Sequence, residues 1–216
     1  MTIPFGNPAE VEAAIPRVSR HLEAGGLIGY PTETVYGLGS LASEAGLDGL
    51  SRLKGRPPRK PFLLLISGRA MAERIGLVFS PAAAALASAF WPGPLTLVLP
   101  GGEGVLPSRL RGAEGGIAVR HTSHAGMARL VAAIDAPVTS TSANRPGGPP
   151  APGAPTVVSL FAEAVERGEL LVLDGGVLGN VPPSTLIDCT TTAPSIIREG
   201  AIPREELRRT VGRFAP

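Results

Sequence analysis

The run Pro61-Phe-Leu-Leu-Leu-Ile-Ser-Gly68 decides how the chain is built. Its apolar residues follow one another without a polar break and are stopped by proline on one side and Ser67-Gly68 on the other. That is too short for a helix and lacks the alternation of a half-solvated strand, so Phe62–Ile66 reads as a strand covered on both faces. A strand of that kind needs helices above and below it, and the neighbouring sequence supplies them. Upstream, Ser43 to Lys54 carries helical spacing and stops at Gly55. Downstream, Ser80-Pro81 opens an alanine-rich helix that runs to Trp91. Further out, the spacing predicts strands at Leu27–Tyr30, Leu95–Leu99, Ile117–Arg120, Pro137–Ser140, Leu170–Leu173, Thr185–Cys189 and Ser195–Arg198. Helices fall at His124–Ile134, Thr156–Arg167 and Pro203–Val211. Asn7-Pro8 is an N-cap followed by proline at the first helical position. It opens a helix to about Ala24 that Pro16 should kink or interrupt. The alternation gives an α/β fold with a twisted, largely mixed sheet flanked by helices. No internal repeat is present.

A chain of 216 residues with 44% hydrophobic and 18% charged residues has enough apolar surface for one sizeable core. Residues 1–216 are read as a single domain. The 28 glycines and 23 prolines punctuate the apolar segments instead of forming a low-complexity block. No apolar run approaches the roughly eighteen residues that a bilayer crossing needs. Met1–Gly6 has neither a basic nor an apolar leader segment, so no membrane association is expected and a cytoplasmic location is. Cys189, the single cysteine, sits in an apolar stretch and reads as a buried thiol. The net charge of +2 permits a nucleotide or nucleic-acid partner without requiring one. Arginine carries nearly all of the positive charge. Lysine occurs only at Lys54 and Lys60, both within Lys54-Gly-Arg-Pro-Pro-Arg-Lys-Pro61, where a compact ammonium can serve a purpose that a planar guanidinium does not. A solvated loop is the plainer account.

Several chemistries are disfavoured. There is no Walker-type phosphate loop and no G-x-S-x-G elbow. Gly37-Leu-Gly39-Ser-Leu-Ala42 matches a relaxed dinucleotide pattern, but a Thr/Glu/Tyr-bearing loop separates it from the preceding strand. His21, His121 and His124 lack the companions of a zinc site, and no metal ligand set is identified. What remains is a series of polar segments at strand ends: Pro31-Thr-Glu-Thr-Val-Tyr-Gly37, Lys54-Gly-Arg56, Arg120, Ser140-Thr-Ser-Ala-Asn144, Ser184-Thr185 and Arg198-Glu-Gly200. Strand ends are where open α/β sheets bind ligands. Singly, each has a structural account: Thr32 and Thr34 can cap a turn, Ser142 and Asn144 can form one, and Arg120 can be a surface arginine. Together they make a set of cations and hydroxyls with few acids, suited to an anionic ligand carrying phosphates and a carboxylate.

In this order the segments resemble the YrdC-like family of threonylcarbamoyladenylate synthases, over about residues 25–200. The matching pieces also include Trp91-Pro-Gly-Pro-Leu-Thr96, Asp174-Gly-Gly176 and Pro183-Ser-Thr185. The resemblance implies a YrdC-like fold with a concave ligand cavity. It also implies a nucleotidyltransferase that joins L-threonine, bicarbonate or CO2, and ATP into L-threonylcarbamoyl-AMP and pyrophosphate, for threonylcarbamoyladenosine modification of tRNA. Carried over by position, it implies that Lys54, Arg56 and Lys60 hold the ATP phosphates, Lys54 and Arg56 as catalytic residues. Ser142 and Asn144 complete that site and Arg198 lies along the nucleotide. Thr32, Arg120, Ser140 and Ser184 surround threonine, Arg120 at its carboxylate. Mg2+ is expected with ATP, and tRNA or a threonylcarbamoyl-transferase complex downstream. Two positions depart from the family pattern: Thr122 stands where many members have proline, and Leu65 where some have histidine. The chain ends soon after Gly200 and so resembles the short form of the family. Two other readings stay open at this point. One is a YrdC-like paralogue with another carbamoyl or adenylate chemistry. The other is a double-stranded RNA or tRNA-binding module, which the 4% aromatic content would restrict to shape and phosphate contacts.

Overall fold

A computed structural model describes residues 1–55, 61–112, 115–179 and 181–215. In chain order the elements are β1 (Thr2–Pro4), α1 (Pro8–Glu23), β2 (Leu27–Tyr30), β3 (Gly37–Gly39), α2 (Glu44–Lys54), β4 (Leu63–Leu65), α3 (Arg69–Arg74), α4 (Pro81–Phe90) and β5 (Leu95–Leu99). They continue through β6 (Ile117–Arg120), α5 (Ala125–Ile134), β7 (Val138–Ser142), α6 (Ala154–Leu160), α7 (Ala162–Glu166), β8 (Leu170–Asp174), β9 (Thr185–Asp188), β10 (Ser195–Arg198) and α8 (Arg204–Val211).

The strands form one sheet in the order β1-β8-β2-β3-β7-β4-β6-β5-β9-β10. Parallel pairs (β1 with β8, β2 with β8, β4 with β6, β5 with β9) are interspersed with antiparallel ones, so the sheet is mixed as its sequence alternation implies. The deciding strand β4 lies between β6 and β7, with Leu64 and Leu65 fully buried and Phe62 and Ile66 buried on either side. Helix α1 packs on α5 and against β1 and β2, α4 packs on β5 and α8, and α6 covers β8. The helix caps are those the sequence signals: Asn7, Ser43 and Ser80 each accept a backbone N–H in the first turn, and Gly55 closes α2 at φ 55°.

Four details differ from the sequence reading, each for a physical reason. Pro16 lies inside α1 without ending it. Its ring faces solvent, so the Glu12 carbonyl that loses its helical partner can turn to water. The helix expected over 156–167 is divided into α6 and α7 at Phe161, whose backbone leaves helical geometry (φ −127°, ψ 35°) as its ring is buried. The glycines of the relaxed dinucleotide pattern belong to β3. A Cβ on Gly39 would stand 2.0 Å from the Thr139 carbonyl oxygen, and one on Gly37 would stand 2.9 Å from the Tyr30 ring. Those glycines let the Thr139 backbone and the Tyr30 ring approach the strand closely. Finally, β7 continues to Ser142, where it pairs with Gly37 and carries that serine into the sheet.

Candidate active site

A cavity of about 950 Å3 opens along the middle of the sheet. Its polar wall is assembled from strand ends: Thr32 and Thr34 from the loop after β2, Arg120 from the end of β6, Ser140 and Ser142 from β7, Ser184 just before β9, and Arg198 from the end of β10. Apolar side chains line it as well, Leu63, Val98, Leu110, Ala118, Leu186 and Ile197 among them, together with proline-rich segments around Pro150 and Pro183. Six residues expected at the site from sequence therefore share one cavity: Thr32, Arg120, Ser140, Ser142, Ser184 and Arg198. Among the described residues lining it, two are arginines and none is a carboxylate.

The loop after β2 takes its shape from hydroxyls. The Thr32 Oγ1 accepts the backbone N–H groups of Thr34 (3.2 Å) and Val35 (3.1 Å), donates to the Val35 carbonyl (2.7 Å), and lies 3.0 Å from the Thr34 hydroxyl. Thr32 thus caps its turn and faces the cavity as well, so the two accounts of it coincide. Thr34 passes the order on: its Oγ1 accepts from both Nη atoms of Arg120 at 3.2 Å. Arg120 is only 4% exposed, and its Nη2 lies 2.7 Å from the Glu33 carboxylate. Its Nε is buried and has no hydrogen-bond partner among the described residues. A surface arginine is excluded.

Ser184 and Arg198 form the far end. The Ser184 Oγ is 2.8 Å from the Thr96 hydroxyl, and Arg198 Nη2 donates to the Ser184 carbonyl at 2.9 Å. Burial, and then the charge of Arg120, draw the Arg198 pKa below the ordinary arginine range, as befits two cations held near each other around a space for an anion. Ser140 is 9% exposed. Beside it the Tyr30 hydroxyl donates to the Thr139 carbonyl at 3.2 Å, and burial pushes the Tyr30 pKa upward.

Lys54 and Asn144 stand together at the Ser142 side. Lys54 is 7% exposed, and its Nζ donates to the Ser142 carbonyl (2.9 Å), to the Asn144 side-chain oxygen (2.6 Å) and to the Asn144 carbonyl. Ser142 Oγ donates to the same Asn144 oxygen at 2.8 Å, and Asn144 Nδ2 donates to the Gly148 carbonyl at 2.6 Å. The lysine that a solvated loop would carry is instead built into the turn after β7. Arg56 and Lys60, expected at the phosphates, lie outside the described residues.

Sequence reasoning gave Glu33 and Thr96 no role, and Thr34 only that of a turn cap. All three stand inside motifs it singled out. What hides Glu33 and Thr34 is that their partners, Arg120 and Thr122, lie some ninety residues away. Of the two departures, Leu65 is fully buried. Thr122 is fully buried too, and its hydroxyl donates to Glu33. His124 is a satisfied histidine: its Nδ1 accepts the Met127 N–H at 3.2 Å as the N-cap of α5. Cys189 is buried, with its thiol pushed up to about 12 by desolvation. No group of three or more metal-ligating side chains is found among the described residues.

A buried guanidinium beside a second arginine, ringed by hydroxyls at the strand ends of a mixed α/β sheet, defines a class of anion-binding α/β protein. The chain belongs to the Sua5_yciO_yrdC family, whose model, described as "Telomere recombination", matches residues 20–200. Its similar relatives include the threonylcarbamoyl-AMP synthase of Pyrococcus abyssi, 35% identical over 88% of this chain and 55% of the relative. The threonylcarbamoyl-AMP synthase of Thiobacillus denitrificans is 37% identical over 83% and 93%. The chain thus spans about half the length of the first relative and nearly all of the second. A crystal structure of P. abyssi Sua5 complexed with L-threonine superposes with a TM-score of 0.85 at 32% identity, covering 99% of this chain and 62% of that one.

Proposed function

We propose that this protein is a threonylcarbamoyl-AMP synthase: it joins L-threonine, bicarbonate or CO2, and ATP into L-threonylcarbamoyl-AMP and pyrophosphate, for later transfer to tRNA in the cytoplasm. The observation that carries the reading is the cavity wall. Arg120 lines it almost fully buried, Arg198 stands near it, hydroxyls surround them, and no described lining residue is acidic. Such a wall favours a carboxylate and a polyphosphate together, and the similarity to threonylcarbamoyl-AMP synthases narrows that to threonine and ATP.

The chain's contribution is positioning and charge. Arg120 receives the threonine carboxylate, with Thr32, Ser140 and Ser184 around it. Arg198 lies along the nucleotide, and Ser142, Asn144 and Lys54 form the phosphate side with Arg56 and Lys60. The threonylcarbamate oxygen is already anionic, so it needs no protein base to attack the α-phosphorus; it needs its charge and that of the departing pyrophosphate offset. Mg2+ would come with the triphosphate, where wall hydroxyls such as that of Ser142 could face it, and it would offset part of the phosphate charge. Residues 1–216 act as one YrdC-like unit. Direct contact with tRNA, or with a complex that transfers the threonylcarbamoyl group, belongs to the step after release.

The test is pyrophosphate release by the purified protein with ATP and Mg2+. Release should require threonine and bicarbonate together, because the nucleophile exists only when both are present. Equal release with threonine alone would replace the carbamoyl step with ordinary amino-acid adenylation.

A further inference from the structure

Arg120 sits at the end of a long, rotatable side chain, yet the proposed reaction needs its guanidinium in one place. Glu33 holds one edge, with Oε1 2.7 Å from Nη2, and the Thr34 hydroxyl accepts from both Nη atoms. Only Nε is left without a partner among the described residues. Glu33 is itself fixed from the opposite side. Its Oε1 accepts the Ser123 backbone N–H at 3.2 Å, and its Oε2 accepts the Thr122 hydroxyl. The direction of that last bond follows from its neighbour: Thr122 Oγ1 accepts the His124 backbone N–H at 3.2 Å, which leaves its single proton for the carboxylate. The arginine is thus tethered, through a carboxylate on another loop, to the residues two and three places further along its own chain.

We propose that Thr122 and Glu33 are positioning residues that aim Arg120 at the amino-acid substrate. Glu33 and Thr34 hold the two Nη atoms and so fix the plane in which the guanidinium meets the cavity that Arg120 lines. Thr122 fixes Glu33. A residue without a side-chain hydroxyl at position 122 cannot make this tether, so the device depends on the threonine of this chain. The inference rests on the threonine-binding reading above.

The experiment is steady-state kinetics of Thr122→Val and Thr122→Ser in the full chain, varying threonine and ATP separately. Thr122→Val keeps the shape and removes the hydroxyl. Losing one hydrogen bond to a charged group should raise the threonine KM roughly tenfold or more while leaving the ATP KM within about twofold. Thr122→Ser, which restores the donor, should return the threonine KM to that of the unaltered protein. An unchanged threonine KM in Thr122→Val, an equal rise in both KM values, or a serine variant as impaired as the valine one overturns the inference. If the unaltered protein shows no threonine-dependent turnover or binding, the substrate reading fails first and takes this one with it.

Discussion

The ammonium of Lys54 lies among the oxygens of Ser142 and Asn144 at a depth where few lysines are found. From sequence, a cation just before Gly55 at the end of α2 contributes only about 0.3–1 kcal/mol through the helix dipole. The structure raises that figure, because removing the ammonium strips a charged donor from buried carbonyls as well. Lys54→Ala should cost about 1.5–3 kcal/mol and lower the melting temperature by roughly 3–12 °C. If Lys54 also faces the phosphates, kcat/KM should fall on the order of a hundredfold to a thousandfold. Lys54→Arg should lose activity too, since a planar fork does not fit where a point ammonium reaches several oxygens. Calorimetry and pyrophosphate release on both variants check this, and an alanine variant that melts unchanged would contradict the geometry. The retention of lysine in an arginine-rich chain was the legible signal at this position. Its partners were not legible, because they are set by where β7 lands beside the end of α2.

At the scale of elements, α5 begins on a histidine that must be neutral to do its work. His124 Nδ1 accepts the Met127 N–H, and a protonated Nδ1 cannot. Burial lowers the His124 pKa below 6.5, against the opposing pull of the Glu33 charge. A folded-state pKa below the unfolded one means that the unfolded chain binds the proton first. The cap's contribution is therefore complete above about pH 6.5 and is lost as the pH falls through the lowered value. His121 is lowered in the same way by burial. Glu33 adds a second fall at lower pH. Burial would raise its carboxyl, but Arg120 and the hydrogen bonds to it hold it below the ordinary 4.5, so its share persists until the pH drops through that lowered value. His124→Asn keeps an N-cap acceptor that does not titrate. Melting curves of this variant between pH 7.5 and 5 should be flatter than those of the unaltered protein; parallel curves would remove His124 as a source of the acid loss. Most elements were legible because their caps and apolar runs are local. Those missed were short or shaped from afar: β1 has three residues and a proline at the sheet edge, and β3 is glycine-rich because its neighbours press close.

For the molecule as a whole, the order of strands in the sheet differs from their order in the chain. β1 pairs with β8, and β9 pairs with β5, so late segments complete surfaces begun by early ones. A chain ending at residue 179 would leave β5 as an unpaired edge of five buried residues. It should elute as aggregate in gel filtration, where the full chain should not; a soluble, compact truncated chain would mean that β9 and β10 are an accessory to the fold. The same arrangement explains why the site was partly legible. Residue types at strand ends announced a cation-and-hydroxyl pocket. Which ends converge is decided by crossovers that no local pattern encodes, so Thr34 and Glu33 gained their roles only from contact with β6 and the turn after it.

The polar wall runs in sequence from Thr32 to Arg198, with the apolar lining drawn from the stretch between. During synthesis, a ribosome must release the chain past residue 198 before Ser184 and Arg198 can both join Arg120. The last polar members of this wall are therefore also the last to be made, and the cavity has its full lining only once β9 and β10 have joined the sheet.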